Sequence, residues 1–340
     1  MEENLPFYSY RLPHSENCVF GSQTDGRSRR GFLIHPFKES EETPEIIIKG
    51  DFFFIDRTES EFPHSALNPQ YRFQTDIPLP SPLPTLEKDE YIRQFEKIAE
   101  AFRLGMAGKI VLSRTVLRKC RAFDLAPLWF ERLSEKYPGA FVFLVNVPGV
   151  TTWMGATPEL FLKQNEEGAD TMALAATRPS GIGGEWGEKE KDEQKIVSEY
   201  ISGILDKYGD WNMSGTFTRA AGNVEHICNT FHHEGKLSSS VVDLIRKDLH
   251  PTPAVGGFPK EAALKIIEKA EGRSRRYYAG YLGPLDDDLN FQWYVNLRSM
   301  EIFREAVNLY VGGGLTSLSE PLKEWEETEA KSRTILDIIS

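Results

Sequence analysis

Apolar residues at Ile92, Phe95, Ile98, Ala99 and Phe102 recur at three- and four-residue intervals through TLEKDEYIRQFEKIAEAFRLGMAG. This spacing predicts a helix closed by Gly105 and Gly108. KIVLSRTVLRK follows at once as a strand, and its alternation sets Lys109, Val111 and Ser113 on one face and Ile110, Leu112 and Arg114 on the other. Further strands are predicted in AFVFLVNV, MALAAT, FQWYVNLRSMEIF and AVNLYVGGG, and helices near 125–136, 189–207, 238–248, 259–271 and 321–339. Strands cluster between widely placed helices without regular βαβ alternation, which predicts an α+β protein with large, mostly antiparallel sheets. Residues 1–76 hold short strand-like runs such as EIIIKGDFFFID, followed by PLPSPLPTL, a stiff connector.

Two helices break the rule that an inward stripe is apolar. In EKEKDEQKIVSEYISGIL, Glu193 falls three and four residues before Ile196 and Val197, on their stripe. It is either a first-turn acid favoured by the helix dipole or an inward carboxylate that must be paired or coordinating. In EPLKEWEETEAKSRTILDII, Trp325, Thr328, Ser332, Ile335 and Ile339 trace one side, and Glu324, Glu327 and Lys331 lie beside it. A solvated acidic helix start explains this, as does a shared Mg²⁺, which takes one or two protein carboxylates and keeps several waters.

LHPTPAVGG, residues 249–257, packs two prolines, two glycines and a histidine into nine positions after a predicted helix. One Gly or Pro would stop a helix, so this run predicts a loop of defined shape of the kind that holds a ligand.

Composition narrows the function. The 340 residues carry a net charge of −11 and no dense basic run, which argues against nucleic acid and anionic membranes but not against a small anionic substrate. Cys18, Cys120 and Cys228 are far apart and lack metal-ligand spacing, as expected in a reducing compartment. The N-terminus lacks signal-peptide features and no apolar run approaches 18 residues, so a cytoplasmic protein is expected.

Candidate proton carriers are Lys109, opening its strand after Gly108, and Glu159, aimed by Pro158 in GATPELF. Arg298 shares a polar alternate face with Tyr294 and Asn296 in WYVNLRSM and can grip a carboxylate, while VGGGL can offer backbone amides to an anion. His226, His232, His233 and His250 fit no common zinc spacing, and neither a P-loop nor GxSxG is present.

Taken in order, KIVLSR, GATPELFL, ALAATRPSG, KDEQKIV, LHPTPAVGGFP, YYAGYLG, YVGGGL and EWEETEAKS resemble the chorismate-utilising enzymes from about residue 88 to the C-terminus. The resemblance implies one large α+β fold of two stacked sheets with helices outside, a variable N-terminal part over 1–84 adding strands, and a chorismate-binding catalytic region over 85–340. It implies a Mg²⁺-dependent site in which Lys109 activates water for attack at C2 of chorismate and Glu159 protonates the departing C4 hydroxyl. Glu193 and Glu324 would hold the metal, with Glu327 acting through water. Arg298 and the amides near Gly313 and Gly314 would hold the enolpyruvyl carboxylate; Ala176, Thr177, His226 and Ala254 would line the pocket; Lys331 would offset the acidic cluster.

Within the family, Ala254 in HPTPAVGG is the form of isochorismate synthases, whereas anthranilate enzymes carry a threonine. Ala175 stands where aminodeoxychorismate synthases carry a nucleophilic lysine. Isochorismate formation is therefore the expected activity, for menaquinone or siderophore synthesis, in a monomer needing no glutamine amidotransferase. A salicylate synthase and a non-catalytic chorismate binder are the alternatives. Ala176 replaces a glycine of most members and Gln194 a histidine.

Overall fold

The computed structural model describes residues 5–23, 28–55, 81–221 and 224–340, with backbone alone over 51–55. The chain runs β1 (Phe7–Arg11), β2 (Cys18–Gln23), β3 (Arg30–His35), β4 (Ile46–Ile55), α1 (Lys88–Arg103), β5 (Lys109–Lys119), α2 (Ala122–Lys136), β6 (Phe141–Val147), β7 (Thr151–Thr157), β8 (Leu160–Gln164) and β9 (Gly168–Pro179). It continues through α3 (Glu188–Leu205), β10 (Asn212–Met213), β11 (Phe217–Ala221), β12 (Val224–Glu234), α4 (Ser239–Leu249), β13 (Gly257–Phe258), α5 (Lys260–Glu271), β14 (Tyr281–Asp286), β15 (Phe291–Val295), β16 (Ser299–Phe303), β17 (Ala306–Leu315) and α6 (Pro321–Ile339).

All described strand pairs are antiparallel. One sheet runs β4-β2-β1-β6-β7-β16-β17-β5-β13. The other runs β4-β3-β14-β15-β8-β9-β12, with β10 and β11 both on β12. β4 belongs to both: Ile46–Lys49 pair with β3 and Gly50–Ile55 with β2. The strands before residue 84 are thus built into both sheets, β1 against β6 and β3 against β14. The first three residues of the proline-spaced connector, 78–80, lie outside the described residues.

The sheets pack through aromatic side chains, with Phe141 stacked on Tyr294 at 4.2 Å and Tyr8 on Phe32 at 5.1 Å. α2 and α6 cover the outer face of the first sheet through Trp129, Phe130, Leu133 and Ile335 against Val142, Met154 and Met300. α1 and α5 bury Phe95, Ile98 and Ile267 against Ile110 and Leu112. The alternation of β5 therefore holds: Ile110 and Leu112 face helices, leaving Lys109 and Val111 for the opposite side.

FQWYVNLRSMEIF is not one strand. It breaks at 296–298 into β15 of the second sheet and β16 of the first, and Arg298 turns the corner with φ of +48°. Pro158 and Glu159 likewise link β7 of the first sheet to β8 of the second. The chain crosses between sheets at both places, so both side chains stand at the opening between them. VEHICNTFHHE, unassigned from sequence, is β12, the inner neighbour of β9.

Candidate active site

Between the sheets lies a cleft open to solvent, walled by β5, β9, β17, the two crossovers and the loop after α4. Glu159, Ala176, Thr177, Glu193, His226, Ala254, Arg298, Gly314 and Lys331 line it. Sequence reasoning missed Tyr278, Tyr310 and Val255 as lining residues. The first sits within the YYAGYLG motif, but no periodicity separates a lining tyrosine from a core one.

Lys109 is completely buried, and its Nζ lies 3.0 Å from Glu193 Oε1. Two glycines permit that placement. A Cβ on Gly314 would lie 2.2 Å from Glu193 Oε1 and 3.1 Å from Lys109 Cε, and one on Gly257 would lie 2.4 Å from the Lys109 carbonyl oxygen. Burial pushes the Glu193 carboxyl upward, but Lys109 beside it, with Lys331 and Lys189 nearby, holds it below the usual carboxylate range. Glu159 has the opposite fate. Burial raises it to about 8 against the weaker pull of Lys109, Lys331, Arg219 and Arg298, so it is protonated at neutral pH. The two sides of the cleft thus carry an ionised and a protonated carboxyl.

His226 Nδ1 donates to the Ala176 carbonyl at 2.7 Å, leaving Nε2 to accept from Arg298 Nη2 at 2.8 Å. Burial and the adjacent guanidinium keep the imidazole neutral. The ring thereby ties the β9 wall to the Arg298 crossover. Ala176, Ala279 and Arg298 are three of the six described non-glycine residues with positive φ, and all three line the cleft. Backbone strain concentrates where the site is built.

Ala176 has φ of +54°, which explains why glycine would suit this position. Its carbonyl, rather than its side chain, holds His226, so Ala176→Gly should keep the site intact. Relief of left-handed strain, about 1 kcal/mol, and the comparable entropic cost of glycine nearly cancel. Thermal unfolding should change by less than about 1 kcal/mol in either direction. A loss of several kcal/mol would show that the methyl group packs a need the geometry does not reveal.

The amides differ from the expectation. Val111 N donates to the Gly256 carbonyl and Ser113 N to Glu271, so their ladder partners Gly314 and Gly312 turn their polar groups away from β5. Gly313, opposite Leu112, is committed to the ladder. Gly312 and Gly314 are therefore the open amides, on the stretch of β17 beyond its pairing with β16.

Glu324 is 1% exposed, and its Oε2 has no hydrogen-bond partner; Glu193 is buried and Glu327 partly so. A Cβ on Gly313 would lie 3.4 Å from Glu324 Oε2 and 3.8 Å from Glu327 Oε1, and one on Gly314 2.2 Å from Glu193 Oε1, so the three carboxylates lie beside adjacent residues near the end of β17. Each carboxylate holds a lysine: Glu193 with Lys109, Glu324 with Lys189 at 2.5 Å, and Glu327 with Lys331 at 2.6 Å. Among the described residues no three acidic, His or Cys side chains are gathered closely enough to hold a metal as they stand. Hard oxygen donors, one of them buried and unpartnered, nevertheless fit Mg²⁺. Gln194 takes no part, since its amide nitrogen donates to the Ala173 carbonyl and Asn229, fixing α3 to β9 and β12.

His250 is structural. Buried against His35, Phe161 and Tyr281, it bonds the Pro36 and Phe37 carbonyls and is pushed down to about 3 by burial. It anchors the loop whose Ala254 and Val255 face the cleft.

Between the sheets of this α+β fold, one cleft gathers Glu159, Glu193, Arg298 and Lys331. The chain belongs to the chorismate binding enzyme family, whose sequence profile matches residues 57–340. Over 266 residues it is 30% identical to isochorismate synthase EntC of Escherichia coli K12, covering 74% of this chain and 67% of that one. It is 28% identical to isochorismate synthase MenF of Bacillus subtilis, covering 75% of this chain and 56% of the relative. Its fold matches the menaquinone-specific isochorismate synthase MenF of Escherichia coli with a TM-score of 0.76 at 20% identity, covering 98% and 89% of the two chains. Among the described residues no helix is long and apolar enough to cross a membrane.

Proposed function

We propose that the protein is an isochorismate synthase, an isomerase that moves a hydroxyl from C4 to C2 of chorismate. One observation carries the mechanism: Glu159 and Glu193 line one cleft from different walls, Glu159 with its carboxyl raised by burial to about 8 and Glu193 backed by the fully buried Lys109, whose Nζ lies 3.0 Å from it. In its neutral amine form Lys109 takes a proton from water, becoming the ammonium, as the water oxygen bonds to C2. The ring double bonds shift, and Glu159 donates its proton to the C4 hydroxyl, which leaves as water. Water enters and water leaves, so composition and oxidation state are conserved.

Arg298, positioned by His226, holds the enolpyruvyl carboxylate together with the outward amides of Gly312 and Gly314. Glu193 and Glu324 would hold Mg²⁺, with Glu327 acting through water, and the charge so supplied would neutralise the ring carboxylate. Ala176, Thr177 and Ala254 shape the wall. Lys331, bonded to Glu327 and the Gly312 carbonyl, balances the acidic rim. The enzyme acts as a single cytoplasmic chain without an ammonia-delivering partner, and its product serves menaquinone or siderophore synthesis.

Incubation with chorismate and Mg²⁺, without ammonia, should yield a product of unchanged mass and altered retention on chromatography, and EDTA should stop its formation. Salicylate with pyruvate would identify a salicylate synthase instead. Unchanged chorismate from a folded, chorismate-binding protein would identify a binder.

A further inference from the structure

Lys189 belongs to no role assigned above. It lies on the first turn of α3, four residues before Glu193 and on the same helix face. Its ammonium sits 2.5 Å from Glu324 Oε1, while the side chain stays 25% exposed and Glu324 is almost wholly buried. An ionised carboxylate so far from water requires a cation. Here that cation is an amine, beside an oxygen, Oε2, that has no partner of its own.

We infer that Lys189 is a removable stand-in for the divalent cation: it occupies Glu324 in the metal-free enzyme and withdraws to solvent when the metal binds. The inference rests on the metal reading given under the proposed function. A divalent cation entering at the unpartnered Oε2 would stand beside the ammonium on Oε1 and compete with it for a single negative charge, and their mutual repulsion drives the ammonium out to solvent. Lysine suits the exchange because its charge is a compact point on a flexible stem. Lys109 does not, being fully buried. The metal-free site is thereby kept oriented, and metal affinity is lowered by the fraction of time the lysine is in place.

The test is a Mn²⁺ titration of the full chain, following free aqueous Mn²⁺ by electron paramagnetic resonance, for wild type, Lys189→Met and Lys191→Met. Lys191 is the charge-matched control: it lies two residues away, 48% exposed, and among the described residues it pairs with Glu185 and Glu188. If the lysine occupies Glu324 about nine-tenths of the time, Lys189→Met should bind Mn²⁺ ~10-fold more tightly, with Lys191→Met near wild type. The unfolding temperature of metal-free Lys189→Met should be lowered and should rise more on adding Mn²⁺ than that of wild type. Unchanged or weakened binding in Lys189→Met overturns the exchange, as does an equal gain in both variants, which would reflect net charge alone. The metal reading fails differently: none of the three proteins takes up Mn²⁺, and the exchange falls with it.

Discussion

Replacing Lys109 with alanine is expected to reduce turnover by at least ~10²–10⁴-fold, the range a positioned general base contributes. The fold should survive, because the residue opens β5 at its end and the strand stays paired with β17 and β13. Stability should nevertheless fall. Removing one partner of a buried ion pair costs about 3–5 kcal/mol when the other charge is stranded. Glu193 keeps Lys331 and Lys189 within electrostatic range, so the loss should fall at or below the lower end. Its acid response gives a second readout. A carboxyl held below its ordinary value stabilises the native state above that value, and the contribution is lost as pH falls through the depressed one. With Lys109 gone the depression weakens, so the acid-side decline in stability should flatten. Circular dichroism, chromatographic turnover and unfolding at pH 3–7 measure all three. Turnover within tenfold of wild type would remove Lys109 from the role of base.

The sequence reveals these residues unevenly, for physical reasons. β5 and α6 are legible to the residue, because a β-branched alternating run and a proline-started amphipathic helix carry strong local signals. Glu193 is legible as a charge on an inward stripe and Glu324 as one beside such a stripe, and both are buried. The position of Arg298 is not legible. The apolar run through 291–303 has no breaker, and the corner at 296–298 is imposed by the chain's transfer between sheets, with Asn296 buried and bonded to the Tyr277 carbonyl. β12 is hidden because His226, Asn229 and His232 interrupt its alternation, each satisfied by a long-range partner. The open amides are hidden too, since ladder phase depends on where Val111 and Ser113 send their N–H groups. Lys189 had a usable signal, its i,i+4 spacing to Glu193, but a lysine on a helix start reads as solvated until the partner helix is known.

Glu159→Gln should separate activity from stability more sharply than any other change in the cleft. Glutamine keeps the size of the side chain but has no acidic proton to give, so turnover should drop ~10²–10⁴-fold at every pH. Wild-type activity should itself fall as pH rises through about 8, where the acid loses the proton it must donate. The stability effect has the opposite sign. Below the ordinary carboxylate value the group is protonated in both folded and unfolded chains and costs nothing. Between that value and about 8 the unfolded chain is ionised while the folded one is not, so native stability declines as pH rises and levels off above. At ~1.4 kcal/mol for each tenfold change in proton affinity, the accumulated penalty near pH 8 is on the order of 3–5 kcal/mol. Glutamine escapes it, so the variant should unfold at a higher temperature than wild type at pH 8 and at nearly the same temperature at pH 4. Equal stability of the two proteins across that range would mean that Glu159 is ionised in the native cleft, which would remove it from the role of acid. A variant both inactive and more stable at pH 8 would show that the strain of burying this carboxyl is retained for the proton it keeps.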